Sequence, residues 1–221
     1  HQNNRWFAYY DKGLSFCNAD SCHHFSEKDG LPSDKIYDII SYDEQEIWLG
    51  TKKGLFSYKN NKFQQLIFDT EDTEQVATML KKDMAGNIWI TTRKNLYKYD
   101  GKSFKQYAIK ALERPFSSYY YRVINDFLID EKNNIWVATL EGMFRLNNKT
   151  DVFEYVGGEQ FFDVVRDMAA DSEGNLWIVK QEGGLLRYDG KFIVEFGELE
   201  GLSSNNIRSC LLYTSPSPRD P

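Results

Sequence analysis

The sequence predicts an all-β fold, a β-propeller forming an open arc of four complete four-stranded blades with parts of two more. Three observations carry that prediction. The five tryptophans, Trp6, Trp48, Trp89, Trp136 and Trp177, recur at intervals of 42, 41, 47 and 41 residues, a period that marks repeat architectures. The last four each sit in a short apolar run behind an acidic turn, as in Asp171-Ser172-Glu173-Gly174-Asn175-Leu176-Trp177-Ile178. No stretch carries a sustained apolar period of 3.6 residues, so helices are not expected. A four-stranded sheet has two faces to cover and cannot cover both alone. Stacking such sheets buries both faces, with the indole filling the layer between them.

Alignment on the tryptophans gives the elements in order. A first strand holds Ile36, Ala77, Ile124 or Val165 twelve residues before each Trp, and Ile39, Leu80, Phe127 or Met168 nine before. Turns follow at Asp43-Glu44-Gln45, Asp83-Met84-Ala85-Gly86, Asp130-Glu131-Lys132-Asn133 and Asp171-Ser172-Glu173-Gly174. Such residues make turns through positive φ or through side-chain bonds to their own backbone. The Trp strand comes next, then a third strand opening on Gly54-Leu55, Asn95-Leu96, Gly142-Met143 or Gly184-Leu185. Tight turns at Asn60-Asn61, Asp100-Gly101, Asn147-Asn148 and Asp189-Gly190 lead to fourth strands around Phe63, Phe104, Phe153 and Phe192.

These units place blades at 30–69, 70–110, 111–156 and 157–199. Residues 1–29 read as the last three strands of a blade, and 200–209 as the start of another, because Gly201-Leu202-Ser203-Ser204-Asn205-Asn206-Ile207 repeats the opening Gly30-Leu31-Pro32-Ser33-Asp34-Lys35-Ile36. After that the pattern stops. Residues 210–221 resemble a translated sequencing-adaptor read-through and are expected to be non-native. The chain then reads as an internal piece with exposed sheet edges, which invite association.

A formal charge of −6 and the lack of a basic stripe argue against nucleic-acid binding. Aromatics at 15% and five prolines suit a folded, strand-rich chain. No apolar run approaches the roughly 18 residues of a membrane span. The chain begins at His1, so a missing secretory signal says nothing about export. Cys17 and Cys22 flank a turn-like tetrad, Asn18-Ala19-Asp20-Ser21. They can face each other across a hairpin and form a disulfide, which favours an oxidising compartment; alternatively they are two small packing residues.

The run Gly-Leu-Pro-Ser-x-x-Ile from Gly30 to Ile36, Asp-x-x-Gly-Asn-Leu-Trp-Ile from Asp171 to Ile178, and Gly-Leu-x-x-Tyr-Asp-Gly-Lys-x-Phe from Gly184 to Phe192 resembles the two-component regulator propeller repeat. The resemblance covers about residues 5–209. It departs at Asn95, which replaces a glycine, and at Asp43-Glu44-Gln45-Glu46, which lacks one. Its implications are an extracytoplasmic or periplasmic sensor region of a membrane-anchored histidine kinase, often hybrid, and homodimeric in the full-length protein. The remaining blades of the same chain would be its neighbours, and polysaccharide breakdown products or other small molecules its ligands. No phosphoacceptor histidine motif or ATP-binding glycine box is visible.

Loops on a rigid scaffold are where recognition concentrates. The connections from second to third strand and from blade to blade vary most, so they are the expected ligand mouth. The candidates there are Lys53, Arg93, Arg114, Tyr119, Tyr120, Tyr121, Arg122 and Gln181. The alternative is that the tyrosines pack on outer strands and the charges are solvated. No catalytic residue, cofactor or metal is expected. His23 and His24 are adjacent in a strand and point to opposite faces. Ten residues before Trp stand Asp38, Asp126 and Asp167, with Met79 in the remaining unit. The aspartates either line a channel or bond strand edges. A propeller enzyme like the streptogramin lyases and a scaffold for protein contacts are the competing functional readings.

Overall fold

The computed structural model describes residues 5–68, 76–93, 95–109, 123–156, 164–181 and 183–210. The chain divides into two compact units, residues 1–107 and 108–221. Both consist of antiparallel sheets in simple up-and-down order. The first unit holds a three-stranded sheet of β1 (Arg5–Tyr9), β2 (Gly13–Cys17) and β3 (Cys22–Phe25). A second sheet follows with β4 (Ile36–Ser41), β5 (Ile47–Thr51), β6 (Gly54–Lys59) and β7 (Lys62–Leu66). A third has β8 (Met79–Lys82), β9 (Ile88–Thr91), β10 (Asn95–Tyr99) and β11 (Phe104–Ala108). In the second unit, β12 (Ile124–Ile129), β13 (Ile135–Thr139), β14 (Gly142–Asn147) and β15 (Val152–Val156) form one sheet. The other comprises β16 (Val165–Ala170), β17 (Leu176–Lys180), β18 (Leu185–Tyr188) and β19 (Ile193–Phe196). The fold is all-β and β-propeller-like. Residues 211–221 lie outside the described residues.

The Trp strand β5 is apolar on both sides because both faces of its sheet are covered. In β5, Trp48 packs with Leu80, Ile88, Ile90 and Tyr97 of the third sheet, while Ile47 and Leu49 cluster with Leu14, Leu31 and Ile36. In the second unit Trp136 packs with Val165, Met168, Leu176 and Ile178. The sequence assigns all five tryptophans one setting, but the structure separates them. Trp48, Trp89 and Trp136 are buried, whereas Trp6 and Trp177 are half-buried. Past β19 the described chain supplies the segment 197–210, which contains no strand. Trp6 rests on Phe16 and Tyr58, its ring centroid 4.7 and 5.4 Å from theirs.

Each acidic turn does more than reverse the chain. Oδ1 of Asp83 accepts the backbone N–H of Ala85 and Asn87, and Oδ2 accepts the Asn87 side-chain amide and the Trp89 indole N–H at 2.9 Å. Asp130 does the same for Asn134 and Trp136, and Asp171 for Asn175 and Trp177, again with indole bonds of 2.9 Å. The turns that carry these acids use positive φ at Gly86, Asn133 and Gly174. The second sheet lacks the glycine and one residue of spacing. There Asp43 accepts the Gln45 backbone N–H but not the indole, and Glu46 Oε1 takes the Trp48 indole at 2.8 Å. Lys59 bridges Glu46 and Asp43 at 3.0 and 3.7 Å.

A second device joins consecutive sheets. The first strand bulges between Ile36 and Asp38, Ile124 and Asp126, and Val165 and Asp167. A bulge re-aims the side chain beside it. Asp38 Oδ2 accepts the Leu80 N–H at 2.7 Å, Asp126 Oδ2 the Met168 N–H at 3.1 Å, and Asp167 Oδ2 the Cys210 N–H at 2.7 Å. Of the two uses open to these aspartates, strand-edge bonding is the one seen. A third joint lies where each blade opening meets a glycine. Asp34 O accepts the Gly13 N–H and Asn205 O the Gly184 N–H, at 3.0 and 3.2 Å. Both glycines have positive φ, and an added Cβ would stand 2.3 Å from Phe25 O or 2.4 Å from Phe196 O. Cys17 and Cys22 are disulfide-bonded across the β2–β3 hairpin, with Cα atoms 4.1 Å apart.

The turn aspartates and Asp38 respond oppositely to pH. Burial alone would raise Asp83, Asp130 and Asp171, but bonds from Asn and Trp side chains outweigh it and hold each below the ordinary aspartate range. Their contribution to stability is complete above the unfolded value, about 3.9, and is lost as pH falls through the lowered folded value. Burial dominates at Asp38 and raises it despite donors from Leu80 and Ile39. Its ionisation therefore costs stability at neutral pH, a cost relieved as pH falls through the raised folded value.

Chemical denaturation tests the indole layer and both kinds of carboxylate. Trp136→Ala will cost about 3–5 kcal/mol, as large-to-small core changes do, and Trp177→Ala measurably less because its ring is half-exposed. Asp130→Ala will cost about 1–3 kcal/mol at pH 7 by orphaning the indole and amide donors. That difference from wild type will shrink on acidification below pH about 4. Asp38→Asn, which keeps an acceptor for Leu80 and removes the buried charge, will cost less than Asp130→Ala.

Candidate ligand-binding face

The connections from Trp strand to third strand lie at the same offset in every sheet. Four residues after Trp stand Tyr10, Lys52, Arg93, Leu140 and Gln181. Of the predicted mouth residues, Lys53 lies in the β5–β6 turn and Arg93 in the β9–β10 connection, both exposed, in the first unit. Gln181 follows β17 in the second unit, exposed, with its backbone N–H bonded to Val164 O at 2.9 Å. Arg114, Tyr119, Tyr120, Tyr121 and Arg122 lie outside the described residues.

Lys53 already has a partner. Its Nζ meets Glu27 Oε1 at 3.0 Å, and Lys53 is the main reason the Glu27 carboxyl is held below its ordinary range. Glu27 begins a short 3-10 turn, Glu27–Asp29, in the blade-opening segment. The pair is exposed on both sides, so it contributes little to stability but orients Lys53 toward that segment.

Sequence reasoning missed Tyr10, Lys35 and Tyr37. Tyr10 is 64% exposed and Tyr37 36%, with ring centroids 5.8 Å apart and planes at 61°. Lys35 Nζ lies 5.9 Å from the Tyr10 ring centroid. The signal for Tyr10 was its offset from Trp6, the same as that of Lys52 and Arg93. Tyr37 is the extra residue of the β4 bulge, which periodicity alone does not expose.

A cavity of about 510 Å³ lies elsewhere. It sits between Trp6 and Phe16 and the acidic turn Asp43, Glu44, Gln45 and Glu46, on the side of the first-to-second strand connections. None of the predicted mouth residues lines it. Among the described residues no cluster of three or more His, Cys, Asp or Glu side chains is arranged to hold a metal ion, and no helix is long and apolar enough to cross a membrane.

No protein-family model matches the sequence, and no curated protein matches it significantly. Solved structures do match in fold. The extracellular domain of BT3049 from B. thetaiotaomicron, described as a hybrid two component system, superposes with a TM-score of 0.67 over 94% of this chain at 18% identity. The extracellular domain of BT4673 from the same organism gives 0.62 over 84% at 20% identity. Virginiamycin B lyase from Staphylococcus aureus gives 0.62 over 86% at 14% identity. The chain spans 29%, 25% and 65% of those three chains respectively. At such identities the likeness establishes the β-propeller-like fold.

Proposed function

We propose that this chain is an open arc of four complete propeller blades with parts of two more, from the ligand-sensing region of an extracytoplasmic two-component signalling protein. It detects a carbohydrate or other extracellular small molecule and passes the signal to a kinase part elsewhere in the same protein. The observation that carries this reading is the repeat. The motifs at Gly30 to Ile36, Asp171 to Ile178 and Gly184 to Phe192 fall on corresponding turns and strands of a fold that two extracellular two-component domains share. The Cys17–Cys22 disulfide suits an oxidising compartment. The ligand mouth is the face of second-to-third strand connections, with Lys53, Arg93 and Gln181 contributing together with Arg114, Tyr119, Tyr120, Tyr121 and Arg122.

The likeness to virginiamycin B lyase supports a second reading, a propeller enzyme. It is the weaker one, because the histidines available in the described chain are His23 and His24 on the edge strand β3, with His24 bonded to Ser15 at 3.0 Å.

Sequencing the complete gene tests the first reading. It is expected to encode a transmembrane helix and a histidine kinase core, and a gene that ends with one closed ring of blades contradicts it. In the complete sensor, Arg122→Ala and Tyr120→Ala are expected to weaken oligosaccharide binding measured by calorimetry. Unchanged affinity removes those residues from the mouth.

A further inference from the structure

The predicted face carries a feature that the mouth residues do not explain. Tyr10 ends a loop tip with most of its ring in solvent, and Tyr37 is pushed out of its ladder by the β4 bulge. Their rings meet edge to face and form an open notch. Two backbone bonds fix the parts that carry it. Gly13 N–H donates to Asp34 O at 3.0 Å, which ties the β1–β2 turn to the strand approach. Lys52 N–H donates to Lys35 O at 3.1 Å, which ties the β5–β6 turn to the same approach. The platform is therefore held together before any ligand arrives, which lowers the ordering cost of binding.

Lysines outnumber acids around it, where the neighbouring carboxylates are Asp11, exposed between Tyr10 and Lys12, and Asp34, which accepts the Glu27 N–H. Lys12, Lys35 and Lys52 are exposed, and among the described residues none is in an ion pair; the salt bridge at this edge belongs to Lys53 and Glu27. Lys35 sits over the Tyr10 ring, near enough for a cation–π attraction that holds its ammonium beside the notch. Exposed tyrosines offer rigid contact area at small entropic cost, with a hydroxyl for hydrogen bonding. Unpaired ammonium groups beside them favour a carboxylate or sulfate.

Resting on the sensor reading, we infer that Tyr10, Tyr37, Lys35 and Lys52 form a subsite for an anionic saccharide. The non-polar face of a sugar ring lies in the tyrosine notch, and its acidic group lies against Lys35 and Lys52. A nucleic acid would offer the same ring-and-anion chemistry, but a chain with net charge −6 repels a long polyanion, whereas a short acidic saccharide meets only the local positive field.

Isothermal titration calorimetry on the full chain tests the subsite with four probes: a galacturonic-acid oligosaccharide, a sulfated oligosaccharide, a neutral galacto-oligosaccharide and inorganic phosphate. The expected result is binding of one or both acidic oligosaccharides at least tenfold tighter than the neutral one or phosphate. The carboxylate and sulfate arms identify which acid is preferred. Tyr10→Ala and Lys35→Ala are each expected to reduce that affinity at least tenfold with unchanged melting temperature, and Tyr10→Phe to retain most of it. Lys149→Ala, an exposed turn residue in the other unit, is expected to bind as wild type. Wild type that binds none of the probes, prefers the neutral sugar, binds phosphate equally well, or keeps its affinity in Tyr10→Ala and Lys35→Ala overturns the subsite. The sensor reading survives each of those outcomes, since it falls on the gene lacking a kinase and not on this calorimetry.

Discussion

The bond between a turn carboxylate and the indole N–H six residues later is the interaction on which the other features depend. A tryptophan buried between sheets brings a polar N–H into a layer with few acceptors, and an unpaired donor there is costly. Asp83, Asp130 and Asp171 remove that cost and organise the hairpin at the same time, since one oxygen collects backbone donors while the other holds the asparagine and the indole. The turn fixes the ring, and at Trp48 and Trp136 the ring fills the space against the following sheet. Where the spacing shortens by one residue, at Trp48, the same end is met by Glu46, whose longer side chain spans the changed geometry.

With the indole placed, neighbouring sheets are brought into register by polar joints at their inner strands. The bulge before Asp38, Asp126 and Asp167 turns each carboxylate toward a backbone N–H of the segment about one repeat later. In β8 the corresponding residue is Met79, which has no carboxylate to offer. Gly13 and Gly184 provide the other joint: each donates its N–H to a blade-opening segment, and the carbonyl of Phe25 or Phe196 in the last strand of its own sheet leaves no room for a side chain. The Cys210 N–H donates to Asp167 as the Met168 N–H donates to Asp126.

Much of this was legible in the sequence because it depends on local spacing. The tryptophan period, the acidic turns and the paired left-handed residues Asn60 and Asn61, both with positive φ, are set by a few neighbouring residues. The structure separates the tryptophans by burial where the sequence treats them alike, because burial depends on what lies beyond each sheet. The Lys53–Glu27 pair joins residues 26 apart in sequence, and the Tyr10–Tyr37 notch depends on a bulge; neither has a periodic signature. Of the candidate site, sequence placed Lys53, Arg93 and Gln181 on connections of one type. It passed over Tyr10 at the same offset because a partial blade draws attention to its missing strand.

The account rests on a carboxylate holding the indole N–H of Trp48, Trp89, Trp136 and Trp177, and hydrogen exchange of those side chains, followed by NMR, measures that bond directly. Trp177 decides the matter, because its ring is half-exposed while its N–H is bonded to Asp171. The predicted result is slow exchange of the Trp177 indole proton alongside those of Trp48, Trp89 and Trp136. Exchange of the Trp177 proton at the rate of a free indole contradicts the account.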